Sequence, residues 1–225
     1  MFNSLQKGIV DIYYTKTPNI SSESPILPLS ILNGEERRVY NSYKVEHKKR
    51  EFLAGRYLIK SILAYYLNIK PEDVWFIQNN YGKLYLRENI GSKMEKQILF
   101  NLSHSNGMVA CAITLEYEVG VDIEKVDGDL IEIAKRFFSP EEIQYIFNFQ
   151  DNFKNHTAYR LWTLKEAYIK AKGMGLSLDL KSFNILENNE MYFNTLVPSP
   201  DFYLSVAVEN KGGLNFKSRA KEIYL

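Results

Sequence analysis

The segment Val119-Gly120-Val121-Asp122-Ile123-Glu124 restricts this chain more than any other stretch of it. Successive side chains of a strand point to opposite faces, so Val119, Val121 and Ile123 share one side while Gly120, Asp122 and Glu124 share the other. Three aliphatic residues in that alternation anchor the strand to a core. The other face then carries two carboxylates about 6.6 Å apart along the backbone, near enough to converge on one ion. Gly120 is expected to leave open space beside them. Like charges repel, so a bound cation would relieve a cost that the bare protein carries. Two oxygen donors without Cys or His favour Mg²⁺ or Mn²⁺ over zinc. An ordinary edge strand with a wet acidic face has the same pattern, and D-x-E alone does not separate the two.

A second informative segment is Leu161-Trp162-Thr163-Leu164-Lys165-Glu166-Ala167-Tyr168-Ile169-Lys170. Leu161, Leu164, Tyr168 and Ala171 follow helical spacing and predict a buried side. Trp162, Glu166 and Lys170 fall on one stripe, with an acid and a base one turn apart. They are either a surface pair or a third carboxylate for a metal with a lysine for a phosphate. Ser139-Pro140-Glu141-Glu142 is a helix start, with Ser139 as cap, Pro140 in the first position and Glu142 closing a capping box. Asn101-Leu102-Ser103-His104-Ser105-Asn106-Gly107 reads as the end of a strand followed by a polar turn from Ser103 to Gly107. Its hydroxyls and His104, when protonated, can donate to phosphate.

Charge sums to almost nothing, 28 Lys and Arg against 27 Asp and Glu, which argues against a dedicated nucleic-acid binder. It is unevenly placed. From Gly34 to Lys60 eight basic residues face four acidic ones, and from Glu116 to Tyr145 nine acidic residues face three basic ones. Cys111 is the single cysteine, and the three histidines lie far apart, which excludes an internal disulfide and weighs against a Cys/His zinc site. There is no apolar run of membrane-spanning length and no leader pattern at the N-terminus, so a reducing cytoplasm is the expected location.

The remaining pattern alternates helices and strands. A Pro/Ser-rich stretch from Thr17 to Ser30 reads as loop, and a helix carries Ala54, Leu58, Ile62 and Tyr65 to about Leu67. Short extended segments flank the turn Asn79-Asn80-Tyr81-Gly82-Lys83, and strands follow over Ile98 to Leu102 and Met108 to Leu115. Helices are expected over Leu130 to Phe138, Pro140 to Phe149 and about Thr157 to Lys172, with a late strand over Phe202 to Val208. The runs Gly107 to Ala112 and Tyr203 to Val208 look alike, and each follows a long helix and a loop, which hints at a duplicated α+β unit.

Taken in order, Asn-Leu-Ser-His-Ser (101 to 105), Gly-Val-Asp-Ile-Glu (120 to 124), Arg-Phe-Phe-Ser-Pro-Glu-Glu (136 to 142), Trp-Thr-Leu-Lys-Glu-Ala-Tyr-Ile-Lys (162 to 170) and Lys-Gly-Met-Gly-Leu-Ser (172 to 177) resemble the Sfp-type 4′-phosphopantetheinyl transferases. The resemblance implies an α+β fold of two similar halves related by pseudo-twofold symmetry, here 1–117 and 118–225. The first half would supply the contacts to coenzyme A and the second the metal carboxylates. It implies Mg²⁺, with Mn²⁺ possible, on Asp122, Glu124 and Glu166. Glu166, Lys170 and Glu142 would be catalytic, Lys170 meeting the pyrophosphate. Arg50, Arg56, Tyr81, Gly82, Lys83, Ser103 and His104 would hold the rest of coenzyme A. The implied reaction moves the phosphopantetheine arm to a serine of an apo acyl or peptidyl carrier protein, in a monomer that binds neither nucleic acid nor membrane. A catalytically silent binder of coenzyme A or carrier, and a metal-dependent phosphohydrolase, are the competing readings.

Overall fold

The computed structural model describes residues 2, 4–17, 27–87, 97–211 and 214–225. Most of the expected loop from Thr17 to Ser30 lies outside them. The elements are β1 (Ile9–Lys16), α1 (Gly34–Ser42), α2 (Glu46–Leu67), β2 (Phe76–Gln78), β3 (Leu84–Leu86), β4 (Ile98–Ser105), β5 (Met108–Leu115), β6 (Val119–Lys125), α3 (Ile131–Phe137), α4 (Pro140–Phe147), α5 (Asp151–Lys172), β7 (Met191–Ser199), β8 (Phe202–Glu209) and β9 (Lys217–Glu222).

Two sheets carry the fold, one in the order β4-β5-β1-β9 and one in the order β6-β8-β7, with β2 and β3 as a separate hairpin. The aliphatic face of β6 packs Val119, Val121 and Ile123 against Val10, Ile12, Ala110 and Ala112 of the first sheet, together with Val206 and Val208. All three β6 side chains are fully buried, and each contributes about 1.5–3 kcal/mol. The outer face of the first sheet is covered by α2 through Leu58, Ile62, Val109, Cys111 and Ile113. The outer face of the second is covered by α5 through Ala167, Ala171, Met191 and Ala207. The order of layers is therefore helix, sheet, sheet, helix.

Apart from the β2–β3 hairpin inserted in the first unit and α3 in the second, the two units repeat one connectivity: a strand, a short helix, a 22-residue helix, then a hairpin whose second strand returns antiparallel to the first. A buried polar device repeats with it. In the first unit Asn33 caps α1 and accepts from Glu36 N, while Asn33 N donates to the Glu36 carboxylate. Lys60 reaches that carboxylate at 2.6 Å and also the Ile31 carbonyl. In the second unit Ser139 and Glu142 form the equivalent box on α4. Lys165 meets both Glu142 oxygens at 2.7 Å and the Phe183 carbonyl. Each glutamate is the third residue of its short helix, and each lysine is the fifteenth of its long one.

Several sequence expectations need correction. Helix α5 begins at Asp151, six residues before the expected start. Strand β4 continues through Ser103, His104 and Ser105, leaving Asn106 and Gly107 as a two-residue turn with positive φ at both positions. Strand β9 crosses back to pair in parallel with β1, so residues 217–222 join the sheet of the first unit. Its Arg219 forms a bidentate pair with the buried Asp11 carboxylate at 2.8 Å.

Candidate functional site

The site is built where the open edge of β4 meets the open edge of β6. Neither strand pairs with the other as a ladder, so polar side chains of β4 satisfy β6 backbone donors. Val121 N donates to Asn101 Oδ1 at 3.0 Å, and Ile123 N donates to Ser103 Oγ at 3.4 Å. Helix α5 lies directly on the far face of β6. A side chain at position 120 would fall inside the backbone of Ala167 and Ala171. The expectation that Gly120 leaves open space is thus corrected: the glycine is there because helix backbone occupies that space.

This close approach brings α5 side chains beside the strand carboxylates. Asp122 is 2 % exposed. Its Oδ1 accepts from Ser103 Oγ at 2.9 Å and from Lys170 Nζ at 2.6 Å, and Lys170 also donates to Ser103 Oγ at 3.0 Å. Its Oδ2 is buried with no hydrogen-bond partner. Glu124 is half-buried and accepts from Ser105 Oγ at 2.6 Å. Burial, with the Asp122 charge adding to it, pushes Glu124 up to about 7 despite the Ser105 bond and Lys170. Glu166 is also half-buried; burial raises its proton affinity, Lys170 opposes the shift and Asp122 adds to it. The three carboxylates therefore share one electrostatic environment.

Among the described residues no three Asp, Glu, His or Cys side chains stand close enough together to hold a metal ion as they are. The donor chemistry nevertheless fits a hard cation: oxygen-only ligands, one of them a buried carboxylate oxygen with no protein partner.

Two adjoining clefts flank the cluster. The first, about 290 Å³, is lined by Glu51, Gly55 and Arg56 of α2, by Asn101, Ser103 and His104 of β4, and by Gly82 and Lys83 of the β2–β3 turn. The second, about 260 Å³, is lined by Tyr81, Gly82, Lys83, Asn101, Glu166 and Lys170, with Gly173 and Gly175 after α5. The turn is held by Asn79, whose Oδ1 accepts from Tyr81 N and Lys83 N and whose Nδ2 donates to Gly173 O. Gly173 closes α5 in the left-handed conformation, where a side chain would press on Asn79 and Lys83.

Of the residues singled out from sequence, Asp122, Glu124, Glu166, Lys170 and Ser103 converge, and His104, Arg56, Tyr81 and Gly82 line the clefts beside them. Arg56 does so while paired with Glu36 at 3.0 Å and lying over the Phe52 ring. Three residues depart from expectation. Arg50 lines neither cleft. Lys83 contributes its stem, but its ammonium turns inward to Glu118, the Val119 carbonyl and the Ala171 carbonyl. The 2.5 Å pair with Glu118 ties the turn to the second unit and leaves Lys83 no free donor for a nucleotide. Glu142 is fully buried in its pair with Lys165 and accepts from Ile185 N at 2.7 Å. A carboxylate so enclosed holds α4 to α5 and lines neither cleft.

Two residues of the site escape sequence reading. Asn101 lines both clefts and bridges the strand edges. Glu51 is 1 % exposed and accepts from Lys48 Nζ, His104 Nδ1 and Gly107 N. Its signal is an acid on the buried stripe Glu51, Gly55, Leu58, Ile62, where an apolar residue is expected.

Comparison with known proteins supplies two family matches. Residues 118–211 match the 4′-phosphopantetheinyl transferase superfamily, and residues 20–116 match the N-terminal region described for 4′-phosphopantetheinyl transferases. The 4′-phosphopantetheinyl transferase HetI of Nostoc sp. is 35% identical over 74% of this chain and 70% of its own length. The gsp transferase of Aneurinibacillus migulanus is 32% identical over 80% and 73%, and Sfp of Bacillus subtilis is 31% identical over 70% and 67%.

Proposed function

Since the chain belongs to the 4′-phosphopantetheinyl transferase superfamily, we infer that its clefts move the phosphopantetheine arm of coenzyme A to a serine hydroxyl of an apo acyl or peptidyl carrier protein, releasing adenosine 3′,5′-bisphosphate. We propose that Mg²⁺, or Mn²⁺ in its place, is held by Asp122, Glu124 and Glu166. The observation that carries this is the buried Asp122 oxygen without a partner, set beside two further half-buried carboxylates and a lysine. When bound, the ion supplies Lewis acidity at the pyrophosphate and a template for its oxygens.

The chain's own residues supply the rest. The Lys170 ammonium, held in the bare protein by Asp122 and Ser103, is the donor for the pyrophosphate. We assign to Glu166, whose carboxylate shares the environment of Asp122 and Lys170, the acceptance of the proton of the attacking serine. Ser103, His104, Arg56 and the Tyr81-Gly82 turn form the walls that orient the nucleotide end. The first unit thus contributes most of the coenzyme A contacts and the second the metal carboxylates. The clefts lie between two units of one chain, which supports a monomer, and the proposed location is the cytoplasm.

The purified protein, coenzyme A, Mg²⁺ and an apo carrier are mixed and the carrier is weighed. A gain of one phosphopantetheine is the expected result. Bound coenzyme A with an unchanged carrier would mark a silent binder, and free phosphopantetheine with an unchanged carrier would mark a phosphohydrolase.

A further inference from the structure

Glu51 stands out as a buried acid on the wall of a cleft expected to receive phosphate. Both its oxygens are used: Oε1 accepts from Gly107 N at 2.9 Å, and Oε2 accepts from Lys48 Nζ and lies 3.0 Å from His104 Nδ1. A ring nitrogen facing a carboxylate oxygen carries a proton, so Nδ1 is the donor and Nε2 is the nitrogen left to titrate. With a neutral ring, Nε2 presents a lone pair, which repels a phosphate oxygen. With a cationic ring, Nε2 donates.

The charged groups facing this imidazole are Glu51 and Lys48 from α2 and Lys170 from α5, and Arg56 lines the same cleft. Burial pushes His104 below its ordinary value, Lys48 and Lys170 push the same way, and Glu51 opposes them. The ring is therefore neutral near pH 7 in the bare protein. A phosphate dianion arriving beside it tips the balance toward the cation, provided Glu51 fixes the ring and compensates its charge. Glu51 itself stays ionised: burial raises its proton affinity, but the bonds from Gly107 and Lys48, with the electrostatic pull of His104 and Lys48, outweigh that and hold it low.

We propose that Glu51 is a positioning residue that holds the His104 ring ready to take up a proton when the ribose phosphate of coenzyme A enters the first cleft, and so sets a preference for coenzyme A over dephospho-coenzyme A. The inference rests on the transferase reading. In the empty state Glu51 also ties α2 to the β4–β5 turn through Gly107, so the test separates positioning from support.

Binding is measured by calorimetry at pH 7.5 with Mg²⁺, in buffers of different ionisation enthalpy, for coenzyme A and for dephospho-coenzyme A. Coenzyme A takes up protons and the dephospho form takes up none. Glu51→Gln lowers affinity for coenzyme A by about tenfold, leaves the dephospho form nearly unchanged, and raises the KM for coenzyme A by more than it lowers kcat. His104→Gln, which leaves the Gly107 bond intact, abolishes the proton uptake. Equal weakening toward both ligands in Glu51→Gln, or proton uptake that survives His104→Gln, overturns the proposal while leaving the transferase reading standing. Failure of the wild-type protein to bind coenzyme A or modify a carrier would overturn the transferase reading itself, and this proposal with it.

Discussion

Substituting Gly120 by alanine tests whether the contact between α5 and β6 is what assembles the site. The added Cβ would stand 3.0 Å from the Ala167 carbonyl carbon and nearer still to Ala167 O and Ala171 N. Ordinary contact is 3.4–4 Å. The obstacle is main chain and cannot rotate away, so α5 must retreat from β6 by on the order of 1 Å. Overpacking of this kind costs about 3 kcal/mol, which in a chain of this size lowers Tm by about 6–12 °C. The same retreat carries Glu166 and Lys170 away from Asp122, and a displacement of about 1 Å costs roughly 100-fold in rate. Holo-carrier formation is followed by mass spectrometry at 15 °C, where the variant remains folded, and Tm is measured by calorimetry. Gly55→Ala is the comparison: its Cβ would meet Val109 Cγ1 at 3.6 Å, an ordinary contact, and Tm should not fall. A Gly120→Ala protein with the wild-type Tm and kcat/KM would refute the dependence of the site on this contact.

Other consequences follow from the same geometry. Glu142→Ala or Lys165→Ala leaves one buried charge unpaired and should destabilise by about 3–5 kcal/mol. Glu142→Leu with Lys165→Met removes both charges and should recover part of that in a denaturant titration, Ser139 N, Ile185 N and the Phe183 carbonyl having lost their partners, and should retain turnover. Turnover lost in a folded double variant would return Glu142 to a catalytic role. Asp122→Ala should abolish transfer with the fold intact, judged by far-UV circular dichroism; loss of folding would contradict the strand-face assignment. Lys170→Ala should slow turnover more than it weakens Mg²⁺ binding, and an equal loss of both would make the lysine structural. In the metal-free protein Glu124 is raised from 4.5 to about 7, so its protonated form favours the folded state below pH 4.5 and that contribution is gone once pH passes about 7. Mg²⁺ requires the ionised form, and should therefore raise Tm more at pH 8 than at pH 6; an equal rise at both would count against Glu124 as a ligand.

The strand that carries Asp122 and Glu124 was legible because its alternation is strict, three aliphatic residues against two acids. The stripe of Glu166 and Lys170 was legible because one face of α5 is apolar. Strand β1 escaped notice because both its faces are buried, so Ile9 to Lys16 shows no clean alternation. Strand β9, Lys-Ser-Arg-Ala-Lys-Glu, is an edge strand whose charges blunt it against pairing and make it read as loop. Glu142 and Lys83 misled for a shared reason. Their partners, Lys165 and Glu118, lie 23 and 35 residues away, and a charged side chain without a visible partner looks available for a ligand. Nothing local marks Lys83 as already bound, and the Ser139 capping box accounts for only one oxygen of Glu142.

The repeated capping-box and lysine device sharpens what the duplication means. Register fixed by Lys60 and Lys165 places Ser61 where Glu166 stands and Tyr65 where Lys170 stands. A hydroxyl and an exposed phenol can neither ligate a hard cation as a carboxylate does nor neutralise a diphosphate. The frame is copied twice and chemically equipped once, so a single-turnover burst should count one modified carrier per polypeptide, and never two.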